Sequence, residues 1–318
     1  MHKQEKQNPL AVNIAGIAMK NPVLVASGTF GYGEEFKDLI DLNQLGGIMT
    51  KGTTLEPRQG NPQPRLAETA CGLINSIGLQ NYGVKEVKKK WLPFLGEFQT
   101  AVIVNVSAGS IEEYCEVIQQ LNGNPVVKGI ELNISCPNVA HGMDFGRDPD
   151  QAAKLVESVK KICSFPLIVK LSPNVTSIQT ISKKVVGAGA DALSLINTVL
   201  GLGFLSSGTA AHHGGEVNRK ALIGGLSGPA VKPIALRMVY EVAQVVDVPI
   251  IGMGGITTWE EALEFILCGA HAVAVGTANF LSPDTSLQII KGLEKYCQDK
   301  GLSHIHELRG KLELAKRE

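Results

Sequence analysis

Short apolar runs alternate with amphipathic segments along nearly the whole chain. The apolar runs predict strands at Val23–Ala26, Gly47–Thr50, Ala101–Val106, Gly129–Ser135, Leu167–Leu171, Ala192–Ile196, Pro249–Gly252 and Ala272–Val275. Segments with a helical spacing of apolar residues alternate with them at Glu34–Leu42, Val84–Trp91, Ile111–Leu121, Pro149–Cys163, Ile178–Val186, Ala230–Val246, Trp259–Leu267 and Leu287–Tyr296. Strands that are apolar throughout and separated by helices are typical of a parallel sheet covered on both faces.

Eight strand–helix units in series, with no obvious linker, predict one α/β domain over residues 1–318, a (β/α)8 TIM barrel. The active site of such a barrel lies at the C-terminal ends of its strands. An open, doubly wound sheet is the alternative, although no G-x-G-x-x-G motif follows the first strand. Residues 1–8 are predicted to form a flexible tail, and the residues beyond Gly301 a solvated, charged end.

Two connections, 53–80 and 197–228, are too long to be simple turns. Long connections inside compact domains usually form lids, binding loops or subunit contacts, so we predict active-site or contact loops at both places. Tolerated surface insertion is the simpler alternative.

Composition narrows the function classes. The chain has 30 basic and 30 acidic side chains, and this balance argues against nucleic acid or an acidic membrane as the main partner. No apolar run is long enough to cross a bilayer, and the polar N-terminus lacks the apolar core of a secretory signal. The six cysteines lie far apart without a C-x-x-C pair, so we expect no metal site, reduced thiols and a cytoplasmic location.

Polar side chains stand at the C-terminal ends of the predicted strands. A barrel would bring these ends to one mouth, where two lysines, three amides and a thiol converge: Lys51, Asn105, Asn133, Cys136, Lys170 and Asn197. Cys136 follows the fourth strand between Asn133 and Asn138, where a thiol is either structural or catalytic. A cation at the mouth stabilises developing negative charge.

Two further features of the mouth predict the kind of ligand. Glycines in GMGGI (252–256) and VGTA (275–278) follow the last two strands, where barrels commonly bind phosphate through backbone N–H groups. Close packing of loop glycines is the alternative. The amides of Asn75, Asn133 and Asn197 offer both donors and acceptors, which suits a planar ligand with alternating carbonyl and N–H groups.

Many of these motifs occur together, and in the same order, in one family. ASGTFG (26–31), TKGTTLEPRQGNPQPR (50–65), NSIGLQN (75–81), NISCPN (133–138), INT (196–198), LSGPAVKPIALR (226–237), GMGGI and VGTA resemble the class 1 dihydroorotate dehydrogenases. The likeness is greatest to the class 1B catalytic subunit. It runs from about Leu10 to the end of the last predicted helix.

The resemblance implies a barrel with one FMN per chain that oxidises (S)-dihydroorotate to orotate in pyrimidine biosynthesis. Cys136 resembles the general base that removes the proton from ring carbon 5, while the hydride from ring carbon 6 goes to the flavin. A cysteine rather than a serine at this position, and an N-terminus without a membrane-targeting segment, are features of class 1.

The resemblance also implies two sets of binding residues. Those for the substrate are Lys51, Asn75, Ser76, Ile77, Gly78, Leu79, Asn133, Asn197 and Thr198. Those for FMN are Ser27, Lys51, Gly52, Asn105, Asn133, Lys170, Ile196, Gly228, Gly254, Gly255, Gly276 and Thr277. Lys170 would stabilise the reduced flavin anion. The loop after Cys136 resembles a mobile flap with Gly142 and Gly146 as hinges.

Class 1B catalytic subunits work with an electron-transfer subunit that carries FAD and a [2Fe–2S] cluster and reduces NAD⁺. The resemblance therefore implies a heterotetramer of two catalytic and two electron-transfer subunits around a catalytic homodimer. LSGPAVKP favours class 1B over the fumarate-linked class 1A. The stretch 199–223 departs from the family pattern, and its His212 and His213 are either site residues or solvated.

Four alternatives stay open. A fumarate-linked class 1A enzyme and a dihydropyrimidine dehydrogenase-like enzyme acting on uracil or thymine share most of these motifs. From a different class, a non-redox lyase or isomerase would use the glycine loops to hold a phosphorylated substrate. A flavoprotein scaffold without catalytic activity is the fourth.

Overall fold

The computed structural model describes residues 8–135, 145–205 and 220–315. The strands in these ranges are β1 (Val12–Ile14), β2 (Ile17–Met19), β3 (Val23–Val25), β4 (Gly47–Met49), β5 (Leu66–Thr69), β6 (Gly72–Asn75), β7 (Ala101–Val106), β8 (Val127–Asn133), β9 (Leu167–Lys170), β10 (Ala192–Leu195), β11 (Val199–Phe204), β12 (Ala221–Ser227), β13 (Ile250–Met253) and β14 (Ala272–Val275).

The helices in the same ranges cover the outside of the sheet or extend its connections. They are α1 (Gly83–Glu86), α2 (Leu92–Leu95), α3 (Ile111–Leu121), α4 (Pro149–Lys160), α5 (Ile178–Gly187), α6 (Lys232–Ala243), α7 (Trp259–Leu267), α8 (Ala278–Leu281) and α9 (Thr285–Lys300). None of these helices has the length and apolar character needed to cross a bilayer.

Eight parallel strands close into a barrel in the order β3-β4-β7-β8-β9-β10-β13-β14, and β14 pairs with β3. These are the eight strands that the sequence predicts, with ends that differ by at most two residues. Every residue of β7 and β9 is buried, which explains why such strands appear as unbroken apolar runs. The predicted TIM barrel is confirmed, and closure excludes the open sheet.

The predicted helices occur at seven of the eight places; Ile111–Leu121 and Trp259–Leu267 have the predicted bounds, and the others have shifted ends. The exception is Glu34–Leu42, where the structure has turns followed by a short 3₁₀ helix, Leu42–Gln44. The Gly33 carbonyl accepts from the N–H groups of both Phe36 and Lys37, and the Phe36 carbonyl from those of Leu39 and Ile40. Because neighbouring N–H groups share one acceptor, no continuous i→i−4 ladder forms.

The two long connections form a second sheet, which was not predicted. β5 and β6 belong to the first connection and β11 and β12 to the second, and they pair antiparallel in the order β11-β12-β6-β5. The period-two alternation of Leu200, Leu202 and Phe204 with glycines was the available signal. Stretches 206–219, with His212 and His213, and 136–144, with Cys136 and the hinge candidate Gly142, lie outside the described residues.

The opposite end of the barrel is covered by segments near both ends of the described chain. The hairpin β1–β2 packs there, and the Ile17 side chain lies where a Cβ on Gly129 would be. The backbone of Ile305, in a 3₁₀ turn after α9, donates to the Pro9 carbonyl, and its side chain is fully buried. The predicted solvated C-terminal end therefore holds for residues 309–315, which are exposed, but not for Ile305. Asn8 is also anchored, because its side chain donates to the Lys20 carbonyl.

The packing of this end predicts a pH effect on stability. His271 Nδ1 accepts from the Ile250 N–H at 3.1 Å, so it must be unprotonated. Burial, with smaller contributions from Arg309 and His306, lowers the pKa of His271 to about 3. Since the unfolded chain binds this proton near pH 6.5 and the folded chain does not, stability is fully present above that pH and is lost as pH falls towards 3.

We expect His271→Asn to flatten this dependence, because Asn keeps the acceptor and does not titrate. Between pH 6.5 and 5, urea unfolding of the variant should lose less stability than that of the unmodified chain. The difference should be at most about 1 kcal/mol per pH unit. Unfolding at pH 8, where the histidine is neutral in both states, measures the packing effect of the substitution alone. Equal slopes below pH 6.5 would contradict the assignment.

Candidate active site

A cavity of about 660 Å³ opens at the C-terminal ends of the barrel strands. This volume suits a cofactor or small-molecule site. Every predicted binding residue lines it: Ser27, Lys51, Gly52, Asn75, Ser76, Ile77, Gly78, Leu79, Asn105, Asn133, Lys170, Ile196, Asn197, Thr198, Gly228, Gly254, Gly255, Gly276 and Thr277. Cys136 lies outside the described residues, and the preceding residue, Ser135, lines the cavity.

Glycines form one wall because the backbone segments approach too closely for side chains. Gly228, Gly254 and Gly255 have φ angles of +98°, +130° and +74°. A Cβ on Gly255 would lie 2.7 Å from the Gly228 carbonyl oxygen, and one on Gly228 would lie 2.8 Å from the Gly72 Cα. The Thr277 hydroxyl donates to the Ser227 hydroxyl at 2.8 Å, which ties the end of β14 to the end of β12. This wall exposes backbone, as an anion site requires.

The cavity floor holds a buried polar network. Lys170 Nζ donates to Ser27 Oγ at 3.1 Å and lies 3.8 Å from Glu131 Oε1. The Ser194 hydroxyl donates to the same Glu131 oxygen at 2.7 Å, and Asn105 Nδ2 donates to the other one. Glu131 and Ser194 are fully buried. The floor therefore presents one cation, Lys170, whose counter-charge lies beneath it.

Asparagines line the side of the cavity beside the end of β8. Asn133 Oδ1 accepts from Asn197 Nδ2 at 3.3 Å and from the Ser135 N–H at 3.2 Å. Asn197 Oδ1 accepts from the Thr198 N–H at 2.8 Å, and Tyr114 donates to the Asn133 carbonyl. These bonds hold the amide planes of two predicted substrate residues in one orientation.

The second sheet forms the opposite side. Asn75, the last residue of β6, donates through Nδ2 to the Gly225 carbonyl of β12 at 3.0 Å. Asn61 Nδ2 donates to the Ser76 hydroxyl and carbonyl, both at 2.9 Å. Gly78 and Leu79 have positive φ angles of 73° and 56°, so the chain turns sharply around the cavity. Asn75, Ser76, Ile77, Gly78 and Leu79 thus reach the mouth from outside the barrel.

Lys51 adds a second cation to the cavity. It is half-buried, and burial lowers the pKa of its ammonium group. The positive charge of Arg65 lowers the pKa further, and Glu35 opposes this effect. Arg65 is held by Gln80 Oε1 at 2.6 Å and by the Asn61 carbonyl. A small anion placed near Lys51 would therefore meet a locally positive region.

Sequence reasoning missed several polar residues around the cavity, of which three illustrate the reasons. Glu131 is a charged residue within the buried stretch 129–132 of β8, and that charge was the available signal. Asn174 donates to the Thr198 carbonyl at 3.0 Å and accepts from the Leu200 N–H at 2.8 Å, so it holds the turn that leads into β11. Arg147 lines the cavity from the start of α4, and no local pattern distinguished it from a solvated arginine.

Fold and site together define a class of protein. It is a (β/α)8 barrel with a glycine wall suited to phosphate, a lysine on the cavity floor, and amides placed to bind the edge of a planar polar ligand. These features match a barrel that binds a phosphorylated, ring-containing cofactor beside a small substrate. The described residues include no group of three or more His, Cys, Asp or Glu side chains that could hold a metal ion.

Comparison with known proteins assigns the family. The family described as dihydroorotate dehydrogenase matches residues 9–297. A relative from Alkaliphilus metalliredigens is 52% identical over 309 residues, 95% of this chain and 98% of its own. One from Listeria monocytogenes is 48% identical over 307 residues, 95% of this chain and 98% of its own. Both are described as dihydroorotate dehydrogenase B (NAD⁺), catalytic subunit. The chain belongs to the dihydroorotate dehydrogenase family.

A solved structure supports the fold. The structure of DHODH from Eimeria tenella in complex with ferulenol matches with a TM-score of 0.79, covering 98% of this chain and 90% of that one. The sequences are 20% identical, so this likeness shows the barrel and no more. The resemblance to dihydroorotate dehydrogenases found from the motifs is confirmed.

The glycine wall predicts a difference between two matched variants. Gly123 has a φ of +75°, close to that of Gly255, but a Cβ there would meet nothing within 4 Å. We expect Gly123→Ala to lose about 1 kcal/mol of unfolding free energy through the left-handed backbone alone. Gly255→Ala should lose at least about 1 kcal/mol more, because its methyl group displaces the Gly228 carbonyl, and should bind FMN more weakly. Urea unfolding and FMN titration measure both effects; equal losses would refute the close approach.

Proposed function

We propose that this chain is the catalytic subunit of an NAD⁺-linked dihydroorotate dehydrogenase, which oxidises (S)-dihydroorotate to orotate with FMN. One observation carries the proposal. The predicted FMN residues and the predicted substrate residues line a single cavity, next to the strand end from which Cys136 follows. The near full-length similarity to the relatives described above supports the same activity.

The residues of the cavity fit FMN. The wall of Gly228, Gly254 and Gly255, with Gly276 and Thr277 beside it, suits the phosphate. Ser27, Gly52, Asn105 and Ile196 line the same cavity as this wall and Lys170, and they would hold the rest of the FMN molecule. When bound, FMN supplies the two-electron acceptor for a hydride.

The remaining polar groups suit dihydroorotate. Lys51 offers a cation to its carboxylate, while Asn75, Asn133 and Asn197 offer donors and acceptors to its ring carbonyl and N–H groups. The Cys136 thiolate removes the proton from ring carbon 5, and the hydrogen on ring carbon 6 leaves with its electron pair. A double bond forms between the two carbons. Asn133, which bonds to Asn197 and to the backbone just before Cys136, would fix the ring relative to the base.

Anaerobic flavin bleaching tests the reaction. FMN bound to the purified chain should lose its visible absorbance on addition of dihydroorotate. Cys136→Ala should slow this step by at least about 100-fold, because the general base is lost, while FMN stays bound. Cys163→Ala is the matched control and should leave the rate unchanged. Burial raises the pKa of the Cys163 thiol, which bonds to the Phe165 carbonyl before β9, at the other end of the barrel.

Other outcomes would assign other functions. A chain that binds no FMN would be a non-redox barrel. Bleaching by dihydrouracil but not by dihydroorotate would identify a uracil-type enzyme. Bleaching by neither compound would favour a flavoprotein scaffold. An unchanged rate in Cys136→Ala would remove this thiol as the base.

We further propose a partner subunit with FAD and a [2Fe–2S] cluster, in an assembly of two catalytic and two electron-transfer subunits around a catalytic homodimer. The relatives' description as a catalytic subunit supports a partner. One face of the second sheet supports its position. Leu200, Leu202, Phe204 and Ile223 are 56–65% exposed, and Leu200 and Ile223 also line the cavity. Exposed apolar patches of this kind mark interaction sites, and this one is continuous with the cavity.

A matched pair of surface variants tests this contact. With the FAD/iron–sulfur subunit present, dihydroorotate should reduce NAD⁺. Leu202→Glu should lower NAD⁺ reduction at least about tenfold at limiting partner concentration, because a charge enters an apolar contact, and should leave bleaching intact. Leu314→Glu changes a leucine of similar exposure (65%) at the far end of the barrel and should have no effect. Equal effects of both variants would contradict the surface, and fumarate turnover without a partner would indicate class 1A.

A further inference from the structure

The cavity lining assigns no role to Glu131, yet its position is unusual for a charged residue. It lies in the middle of β8, is fully buried, and points into the barrel beneath the cavity. Its carboxylate contacts groups from three other strands: Asn105 of β7, Lys170 of β9 and Ser194 of β10. A buried carboxylate is costly unless it is paired and hydrogen-bonded. These contacts offset that cost, but apolar packing alone does not explain why a charged residue occupies this position.

A carboxylate dictates the orientation of Asn105 because it only accepts hydrogen bonds. Asn105 Nδ2 donates to Glu131 Oε2 and also lies 3.3 Å from Ser27 Oγ. The amide oxygen must then point the other way, and it lies 3.3 Å from where a Cβ on Gly52 would be. Asn105 therefore presents an acceptor, rather than a donor, at the Gly52 side of the cavity.

The same carboxylate compensates the charge on the cavity floor. Lys170 Nζ lies 3.8 Å from Glu131 Oε1, and the side chains of the pair are only 6% and 0% exposed. Poorly solvated charges at this distance interact strongly. The ammonium group is therefore less attractive to a ligand anion above it than an uncompensated lysine would be. A ligand that gains negative charge on reduction would therefore be stabilised less by this lysine than by an uncompensated one.

We propose that Glu131 is a positioning residue that sets the acceptor orientation of Asn105 and reduces the effective positive charge of Lys170, thereby lowering the reduction potential of bound FMN. This inference rests on the proposed function, since it requires FMN above Lys170. Glu131 itself touches neither substrate nor cofactor and acts through these two neighbours.

Glu131→Gln removes the negative charge of the side chain and keeps its size and shape. The amide oxygen of Gln can accept from Asn105 and its NH₂ can donate to Ser194, so the network can persist without the negative charge. The FMN potential should become more positive, corresponding to about a tenfold stronger preference for reduced over oxidised FMN, or about 30 mV for two electrons. Ser194→Ala is the matched control. It removes a hydrogen bond from Glu131 but keeps the charge, so it should not produce the positive shift.

A second pair of variants shows whether Glu131 acts through Lys170. In a Lys170→Gln background, adding Glu131→Gln should shift the FMN potential by less than it does in the unmodified chain, because only the direct field of the carboxylate, and no longer its effect on the ammonium group, is removed. The double variant also removes both buried charges together, so it provides a test if Glu131→Gln alone does not fold. A positive shift as large in this background as in the unmodified chain would overturn the proposed route through Lys170.

Failure of the proposed function and failure of the role of Glu131 give different experimental results. If the unmodified chain binds no FMN, or its FMN is not bleached by dihydroorotate, the proposed function fails first. If it binds FMN and is bleached, an unchanged or more negative potential in Glu131→Gln refutes the role of Glu131 alone. Affinity for oxidised FMN, measured by reconstitution of the flavin-free chain, provides a readout independent of turnover and should change little in Glu131→Gln.

Discussion

Closure of the eight parallel strands is the constraint on which the site depends. Because the strands run in one direction, closing the barrel brings their carboxyl ends to one rim, however far apart they lie in sequence. Ser27 follows β3, Asn105 lies in β7 and Lys170 ends β9, yet the hydroxyl of Ser27 contacts both of the others. None of these residues forms a site with its own neighbours in the chain. The barrel assembles the site and holds it on rigid strands.

A second, smaller sheet adds a further constraint at the rim of the barrel. The sheet of β5, β6, β11 and β12 joins two connections that are more than a hundred residues apart, and its β6–β12 pairing brings Asn75 to the cavity that Asn133 also lines. Glycines make this possible, since a Cβ on Gly225 would collide with the Thr198 side chain. The barrel thus supplies one part of the cavity lining and the sheet another. The shape of the cavity therefore depends on a pairing between distant parts of the chain.

The sequence predicted the parts of the structure that follow from burial. Barrel strands are covered on both faces, so each appears as an apolar run that ends in polar residues, and both runs and ends could be located. The second sheet was missed because β11 and β12 are rich in glycine and partly exposed, which weakens the apolar pattern. The predicted helix at Glu34–Leu42 was wrong because apolar spacing does not determine whether successive N–H groups share an acceptor.

The cavity, too, could be predicted from the sequence only in part. Motifs located the residues that line it, since those residues follow strands or occupy turns. Asn174 acts by fixing a turn, and its part depends on the three-dimensional path of the chain around Thr198 and Leu200. Glu131 was visible as a charge in an apolar strand, but its partners lie on three other strands. Residues that face a ligand are easier to find from the sequence than residues, such as Asn174 and Glu131, that act by holding or compensating their neighbours.

This distinction bears on how the barrel tunes the chemistry above it. Lys170 and Glu131 form a layered arrangement in which the cation faces the cavity and the anion lies beneath it, both nearly free of solvent. Water cannot screen the pair, so the charge that the cavity experiences is set by the distance between these two groups. The strands that carry them are adjacent and hydrogen-bonded, with Asn133 of β8 paired to Lys170 of β9. The register of the β8–β9 pair thus fixes both the position of Asn133 and the distance between the two charges of the floor.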